Sequence, residues 1–241
     1  MESASDIRLL DRGALAGYVE ENLWRMSEEE ALAVLASPHC TASVCAELAY
    51  SSRLTLHYPI RLRLVAHRAT PLGQAMKFVS HLYWSDLLRL SMSMRVAPAV
   101  RRAIDVRLIA LLPGLTLGER IAAAKRCSRE VIGHLLFDPE PRVFSALMIN
   151  PRLVEDDLVR LIASERVPPE KLAIVGGDRK WSCRYAIRLA LVLNQATPRA
   201  VAASQLRYLS RRDLSDLEEH PATSTYIRRC IEKISAGRST A

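Results

Sequence analysis

The sequence has few of the large aromatic residues that favour β-strands: three Phe and three Trp occur in 241 residues. Leu, Ala, Val and Arg are abundant instead, which predicts helices rather than sheets. The chain is 49% hydrophobic and 25% charged, so it can bury a sizeable core and is not expected to be disordered over most of its length. The predicted fold class is all-α.

Two features of membrane or secreted proteins are missing. No apolar run approaches the ~18 residues needed to cross a bilayer, and the first residues, "MESASD", are acidic where a signal peptide would be basic and then apolar. The five cysteines are odd in number and scattered, which does not fit a disulfide framework: Cys40, Cys45, Cys127, Cys183 and Cys230. We therefore expect a cytoplasmic protein with reduced cysteines in its core.

Catalytic motifs are absent from the sequence as well. It contains no GxSxG elbow, no P-loop and no dinucleotide fingerprint, and "VGGD" at 175–178 predicts a turn that ends a helix. The acidic clusters at 28–30 and 155–157 each begin a predicted helix, where the helix dipole favours carboxylates. Ser27 and Glu30 also form a capping box. No catalytic residue is assigned, and an enzyme is not expected.

A metal site is not predicted either. The six histidines do not place two ligands on one helix face at zinc spacing: His39, His57, His67, His81, His134 and His220. His39 and Cys40 are the nearest candidates, but adjacent helical residues do not face each other and no CxxC pair accompanies them. We therefore expect no bound metal and no cofactor.

The chain does contain a long internal repeat. The stretch "IRLRLVAHRATP" starts at residue 60, and "IRLALVLNQATP" starts at residue 187, which is 127 residues later. The same offset aligns "EEEALAVLAS" at 28–37 with "EDDLVRLIAS" at 155–164 without any gap. The repeat predicts four segments: a first half at 27–112, a bridging repeat at 113–137, a second half at 138–234 and a disordered tail at 235–241.

A shorter period of just under thirty residues runs within each half. Pairs such as Thr70-Pro71 and Thr197-Pro198 predict helix starts, because a hydroxyl can accept from a free backbone amide and Pro at the first helical position loses no hydrogen bond. The stretch "YAIRLALVLN" is apolar over most of its circumference, which predicts a helix packed between neighbouring repeats. We expect its core residues and their counterparts to be almost fully buried: Ile60, Leu64, Ile187 and Leu191.

Such stacking predicts a single continuous solenoid over residues 1–241, because each repeat covers the apolar face of the next. The segment "DPEPRVFSALMINPRLVEDDLVRLIAS" at 138–164, with the "VPPEKLAIVGGDRKWSCRYAIRLALVLNQATP" that follows, resembles bacterial HEAT-like and leucine-rich-repeat-variant repeats. The resemblance covers residues 128–234 well and 27–104 more loosely. It implies a right-handed α-solenoid that serves mostly as a binding surface.

The resemblance also bears on cofactors and partners. Some members of the variant family carry an N-terminal iron–sulfur cluster ligated by cysteines, but only Cys40 and Cys45 lie near the start of this chain. Two cysteines are too few for such a cluster, so that cofactor is not carried over. Other HEAT-like proteins cradle DNA, and a few are base-excision glycosylases. No catalytic Asp-and-Trp set matches here, since Trp24, Trp84 and Trp181 lie at predicted helix boundaries and are expected to pack between repeats.

Basic residues carry the strongest functional signal. The formal net charge is +8, and most of the 34 basic residues are Arg. Arg61 matches Arg188 across the repeat, and Arg102 matches Arg229, so basic side chains recur at equivalent places. The candidate binding residues are Arg61, Trp84, Arg102, Arg188, Arg207, Tyr208, Arg211, Arg212 and Arg229. A solvated Arg surface that binds nothing explains the same composition.

We hypothesise a non-catalytic scaffold that binds a macromolecule on its concave face. A protein partner with an acidic segment is favoured, and binding to a nucleic-acid backbone is the alternative. Either ligand would be attracted by a basic groove that is more aromatic near Trp84 and more basic near Arg207.

The adjacent Arg pairs provide a test of this hypothesis. Neighbouring residues on a helix point about 100° apart, so Arg102 and Arg229 should be exposed while Arg101 and Arg228 lie closer to the core. Reversing Arg102 and Arg229 to Glu should leave the melting temperature unchanged and weaken partner binding. Unchanged affinity for an identified partner would assign both residues to a solvated surface.

Overall fold

The computed structural model describes residues 4–164, 166–221 and 223–239. These residues are helical or connect helices, and no β-strand occurs among them. The predicted all-α class is therefore confirmed. Within the same residues, every helix is too short or too polar to span a membrane.

The chain divides into two compact units, and the division falls inside the predicted bridging repeat. Unit 1 is Met1–Val131 and contains α1 (Ala4–Ile7), α2 (Arg12–Asn22), α3 (Glu28–Ala36), α4 (Ala42–Tyr50), α5 (Tyr58–Ala66), α6 (Leu72–Val79), α7 (Trp84–Ser91), α8 (Pro98–Leu111) and α9 (Leu117–Ala124), with 3₁₀ turns at Leu54–Leu56 and Leu112–Gly114. Helix α10 (Arg129–Leu135) crosses the division.

Unit 2 is Ile132–Ala241 and contains α11 (Pro141–Leu147), α12 (Glu155–Ile162), α13 (Pro169–Gly177), α14 (Tyr185–Leu193), α15 (Arg199–Leu206), α16 (Arg211–Glu219) and α17 (Thr225–Ser239). Helix α17 continues to Ser239, which is inside the segment predicted as a tail. Ile231 is buried and Ile234 packs against the same core, which anchors this last helix. Residues 240 and 241 lie outside the described ranges.

Polar caps begin several of these helices. Ser27 and Glu30 form the predicted capping box of α3, with Ser27 N–H donating to Glu30 at 2.7 Å. Thr116 and Glu119 form another at the start of α9. Thr41 accepts a bond from the third residue of α4. In each case a side chain satisfies backbone amides that the first helical turn leaves free.

The Thr-Pro pairs begin helices by a different mechanism from the one predicted. Pro71 and Pro198 are the capping residues themselves and precede the first helical position. The hydroxyls of Thr70 and Thr197 are buried and do not cap the first turns of α6 and α15, so hydroxyl capping is wrong here. The ring of Pro fixes its own backbone φ, and that restraint directs the chain into the helix. At Pro98 the predicted placement is confirmed, since it is the first residue of α8.

The repeated helix of each unit buries apolar residues against its two neighbours. In unit 1, α5 packs against α3 and α6, and its Ile60 and Leu64 are completely buried. In unit 2, α14 packs against α12 and α15, and Ile187 and Leu191 are completely buried. The predicted burial of these four residues is confirmed.

Helix bounds in the two units follow the sequence offset closely. Helix α4 spans 42–50 and α13 spans 169–177, so each bound differs by 127. The bounds of α5 and α14, and those of α6 and α15, differ by the same number. Similar local sequences therefore begin and end their helices at matching positions.

Truncating a buried leucine should destabilise the protein strongly. Leu191→Ala is expected to lower the free energy of unfolding by about 2–5 kcal/mol, because the removed methyl groups leave a cavity in a tightly packed core. Leu193→Ala is the control, since Leu193 is in the same helix but is 46% exposed. Urea unfolding followed by circular dichroism would compare them. If both variants lowered the free energy of unfolding by the same small amount, the packing of α14 described above would be wrong.

Candidate functional site

A pocket of about 830 Å³ in unit 1 gathers basic side chains from several helices and turns. Arg63 comes from α5, Arg68 follows that helix, Arg89 comes from α7 and Arg95 follows α7. None of the described residues that line this pocket is acidic. We call it the basic pocket.

Three of the four guanidinium groups lack a fixed partner. Arg89 forms an ion pair with Asp86 at 2.7 Å. The side chains of Arg63, Arg68 and Arg95 are exposed and make no ion pair or hydrogen bond with any described residue. Their positive charge therefore stays available to an anionic ligand, which could gain charge-assisted hydrogen bonds there.

A cluster of two cysteines and a histidine lies against the basic pocket. Cys40 follows α3, Cys45 lies in α4 and His67 ends α5. Cys40 Sγ is 3.5 Å from Cys45 Sγ, and Cys45 Sγ is 3.2 Å from His67 Nδ1. Cys40 and His67 line the pocket, whereas Cys45 is fully buried behind them.

The cluster favours a thiolate on Cys45. The hydrogen bond from the Cys40 thiol is the main cause that lowers the pKa of Cys45 to about 5, although burial opposes it and His67 assists it. The pKa of Cys40 is raised because its proton is held in that bond and because it is buried. The pKa of His67 is raised by its hydrogen bond to Cys45. A thiolate on Cys45, beside an imidazole whose pKa it raises, is therefore the expected state near neutral pH.

The imidazole also contacts the backbone. The N–H of Ala69 points to His67 Nδ1 at 3.2 Å. This nitrogen accepts that bond when the ring is neutral, and it donates to Cys45 when the ring is protonated. In unit 2, Asn194 Oδ1 accepts from the N–H of Ala196 at 2.8 Å in the matching turn. His67 thus combines a turn-stabilising role with its contact to the cluster.

Unit 2 has a pocket of about 860 Å³ between α12 and α14. It is lined by Val159, Ile162, Ala163, Ala186, Leu189, Ala190, Leu193, Asn194, Gln195 and Ala196. None of these residues is charged, and most are aliphatic. We call it the apolar pocket.

The repeated twelve-residue stretch explains the contrast between the two pockets. Its copies differ at four positions. Arg63 of unit 1 corresponds to Ala190 of unit 2, Ala66 to Leu193, His67 to Asn194 and Arg68 to Gln195. All eight of these residues line their respective pockets. The identical positions include the buried core residues of α5 and α14. Differences within the repeat are therefore concentrated at the pocket linings.

The predicted binding residues lie outside both pockets. None of the nine lines either pocket. Three of them meet in unit 2, where Arg188 and Arg207 lie 3.9 and 4.8 Å from the ring centre of Tyr208. Arg61 makes a longer contact of 6.0 Å with Tyr58. Two arginines therefore pack against the ring of Tyr208.

The remaining predicted residues are dispersed. Arg102 and Arg229 are exposed, as predicted, while Arg101 and Arg228 are partly buried. Arg211 and Arg212 are exposed in the first turn of α16. Trp84 begins α7 and its Nε1 donates to Glu119 at 2.8 Å.

Two expectations about packing are corrected. Trp24 does not pack against other repeats, because it is 75% exposed and has Arg25 above its ring. Trp181 is buried, as expected. Cys183 is exposed and therefore is not a core residue, because it lies in the turn before α14. Cys40, Cys45 and Cys127 are buried, as predicted, and Cys230 is only partly buried.

The cysteine–histidine cluster was missed because its members are 5 and 22 residues apart and match no ligand motif. Only the packing of α5 beside α3 and α4 brings His67 to the two cysteines. One signal was present in the sequence: His67 and Arg68 are among the few changes between the repeated stretches.

The described residues define an all-helical protein. A basic pocket lies in unit 1 and an apolar pocket lies in unit 2. Protein-family models, curated proteins and solved structures contain no match to this chain.

The thiolate of Cys45 can be tested by titration. Ultraviolet absorbance should show a thiolate that is lost as the pH falls through about 5. Cys40→Val and His67→Asn should both raise the pKa of Cys45, with the larger effect from Cys40→Val because the Cys40 bond is the main cause. Cys183→Ser should leave the low-pH step in place. A step that survives Cys45→Ala would show that another group produces it.

Proposed function

We propose that this chain is a non-catalytic scaffold of HEAT-like helical repeats that binds an acidic segment of a protein partner. The observation that carries this proposal is the basic pocket, where Arg63, Arg68 and Arg95 converge without an ion pair to a described residue. Carboxylate side chains would supply the missing anions, and paired N–H groups of Arg match carboxylate geometry.

The proposed scaffold is a right-handed α-solenoid with an internal duplication of 127 residues. The matching bounds of α4 and α13, α5 and α14, and α6 and α15 support the duplication. Its two copies would share a helical framework and differ in what they bind, because the changed residues of the repeated stretch line the pockets. The partner is proposed to bind on the concave face.

A binding role suits this site better than catalysis. The group with the most reactive chemistry is Cys45, whose pKa is lowered to about 5. Its side chain is completely buried and does not line the basic pocket. A substrate held by the arginines would therefore not reach the nucleophilic sulfur.

Nucleic-acid binding is the alternative, since phosphates also pair with Arg. Two observations favour a peptide. The free guanidinium groups converge on one pocket of about 830 Å³, whereas a phosphate backbone needs contacts repeated along its length. Tyr208, the aromatic residue within the predicted basic cluster, already has Arg188 and Arg207 against its ring. Its faces are therefore less available for base stacking.

A labelled poly-glutamate peptide can probe the basic pocket directly. Arg63→Ala combined with Arg68→Gln should weaken peptide binding by at least ~10-fold, because each lost charge-assisted hydrogen bond is worth ~1.5–3 kcal/mol. These replacements copy Ala190 and Gln195 of unit 2, so the fold should tolerate them. Fluorescence anisotropy at low salt would measure the affinity.

The matched control is Lys125→Ala combined with Arg126→Ala, which removes two exposed charges that do not line the pocket. If both double variants lost the same amount of peptide affinity, the loss would come from the lower net charge, and a specific site would be contradicted. Duplex DNA at two salt concentrations completes the comparison. Tighter binding of DNA than of the peptide, with a steep salt dependence, would favour the alternative.

A further inference from the structure

We propose that Cys40, Cys45 and His67 form a site for a single Zn²⁺ ion, with its fourth coordination position directed to the basic pocket. Two thiolates and an imidazole are a ligand set that zinc prefers. The three ligand atoms all lie within 4.8 Å of one another. They are contributed by three separate segments that the core of unit 1 holds together: the turn after α3, helix α4 and the end of α5.

The distances in the cluster fit a tetrahedral ion. Zinc binds sulfur at about 2.3 Å and nitrogen at about 2.0–2.1 Å, which places two sulfurs about 3.8 Å apart and a sulfur and a nitrogen about 3.5 Å apart. The corresponding distances here are 3.5 Å between Cys40 Sγ and Cys45 Sγ and 3.2 Å between Cys45 Sγ and His67 Nδ1. These two pairs would open by a few tenths of an ångström around an ion. The third pair, Cys40 and His67, already lies within 4.8 Å.

The types of ligand atom also determine which metal fits the site. At His67 Nδ1, the ion would replace the N–H of Ala69 and the hydrogen bond with Cys45. Soft thiolate ligands disfavour Mg²⁺ and Ca²⁺, which take oxygen ligands.

The matching positions of unit 2 show that packing does not require these residue types. Adding 127 to residues 40, 45 and 67 leads to Val167, Leu172 and Asn194. Val167 and Leu172 are buried, and Asn194 makes the equivalent turn bond. Val167 and Leu172 thus fill in unit 2 the places that Cys40 and Cys45 fill in unit 1. Packing alone would therefore accept aliphatic residues at both cysteine positions.

The fourth ligand would come from the pocket side. Cys40 and His67 line the basic pocket, and none of the described residues that line it is acidic. A water molecule or an incoming anionic group would therefore complete the coordination. Zinc with two thiolates and a neutral imidazole carries no net charge, so the nearby Arg63 and Arg68 would still favour an anion. Metal binding itself does not depend on the proposed partner.

Cobalt is the spectroscopic probe for this site. The full reduced chain, stripped with a chelator, should bind one Co²⁺ per chain with a thiolate-to-cobalt charge-transfer band that Zn²⁺ abolishes. The variant Cys40→Val/Cys45→Leu/His67→Asn copies unit 2 and should keep its circular dichroism spectrum. It should bind zinc more than ~100-fold more weakly, beyond the ~10- to 100-fold cost of losing an outer-shell partner. Cys183→Ser is the control and should bind normally.

Three results would each overturn the proposal: an unchanged zinc stoichiometry in the folded triple variant, a cobalt complex without the thiolate band, or a reduced wild-type protein that takes up no zinc. If the last result is accompanied by peroxide conversion of Cys40 and Cys45 to a disulfide, the pair is a redox couple instead. These measurements contain no peptide, so their failure leaves the acidic-segment proposal to its own test.

Discussion

Burial of apolar side chains between neighbouring helices holds each unit together. Helix α5 in unit 1 and α14 in unit 2 each bury an Ile and a Leu completely. Removing this apolar surface from water is the main favourable contribution to folding, and close packing allows little shift of the helix axis. The pocket residues at the end of each helix therefore keep defined positions. Arg63, Ala66 and His67 are placed by the same packing that buries Leu64.

This arrangement separates the core residues of a helix from its pocket-lining residues. On α5, Ile60 and Leu64 point into the core, while Arg63 lies on a different side of the helix and remains exposed. A change at position 63 alters the pocket without leaving a cavity in the core. In unit 2, a change at Ala190 would likewise alter the apolar pocket without leaving a cavity in the core. One helical framework can thus carry two linings with different chemistry.

The cysteine cluster places a charged group in the interior of unit 1. Placing a thiolate in the interior is unfavourable unless hydrogen bonds or opposite charge compensate it. Cys40 and His67 provide both, which explains why the pKa values of Cys40 and Cys45 move in opposite directions. Such a cluster differs from the exposed ion pair of Arg89 and Asp86, which solvent screens. The cluster and the arginines lie side by side, because Cys40 and His67 line the same pocket as Arg63 and Arg68.

The sequence by itself determined the helices and their core, because both follow from local signals. Capping residues such as Ser27, the periodicity that buries Leu191, and the alternation that exposes Arg102 are properties of neighbouring residues. Only the tertiary structure decided which distant side chains meet. The contact of Cys45 with His67 and the convergence of the arginines depend on how helices pack, and no spacing along the chain encodes that geometry.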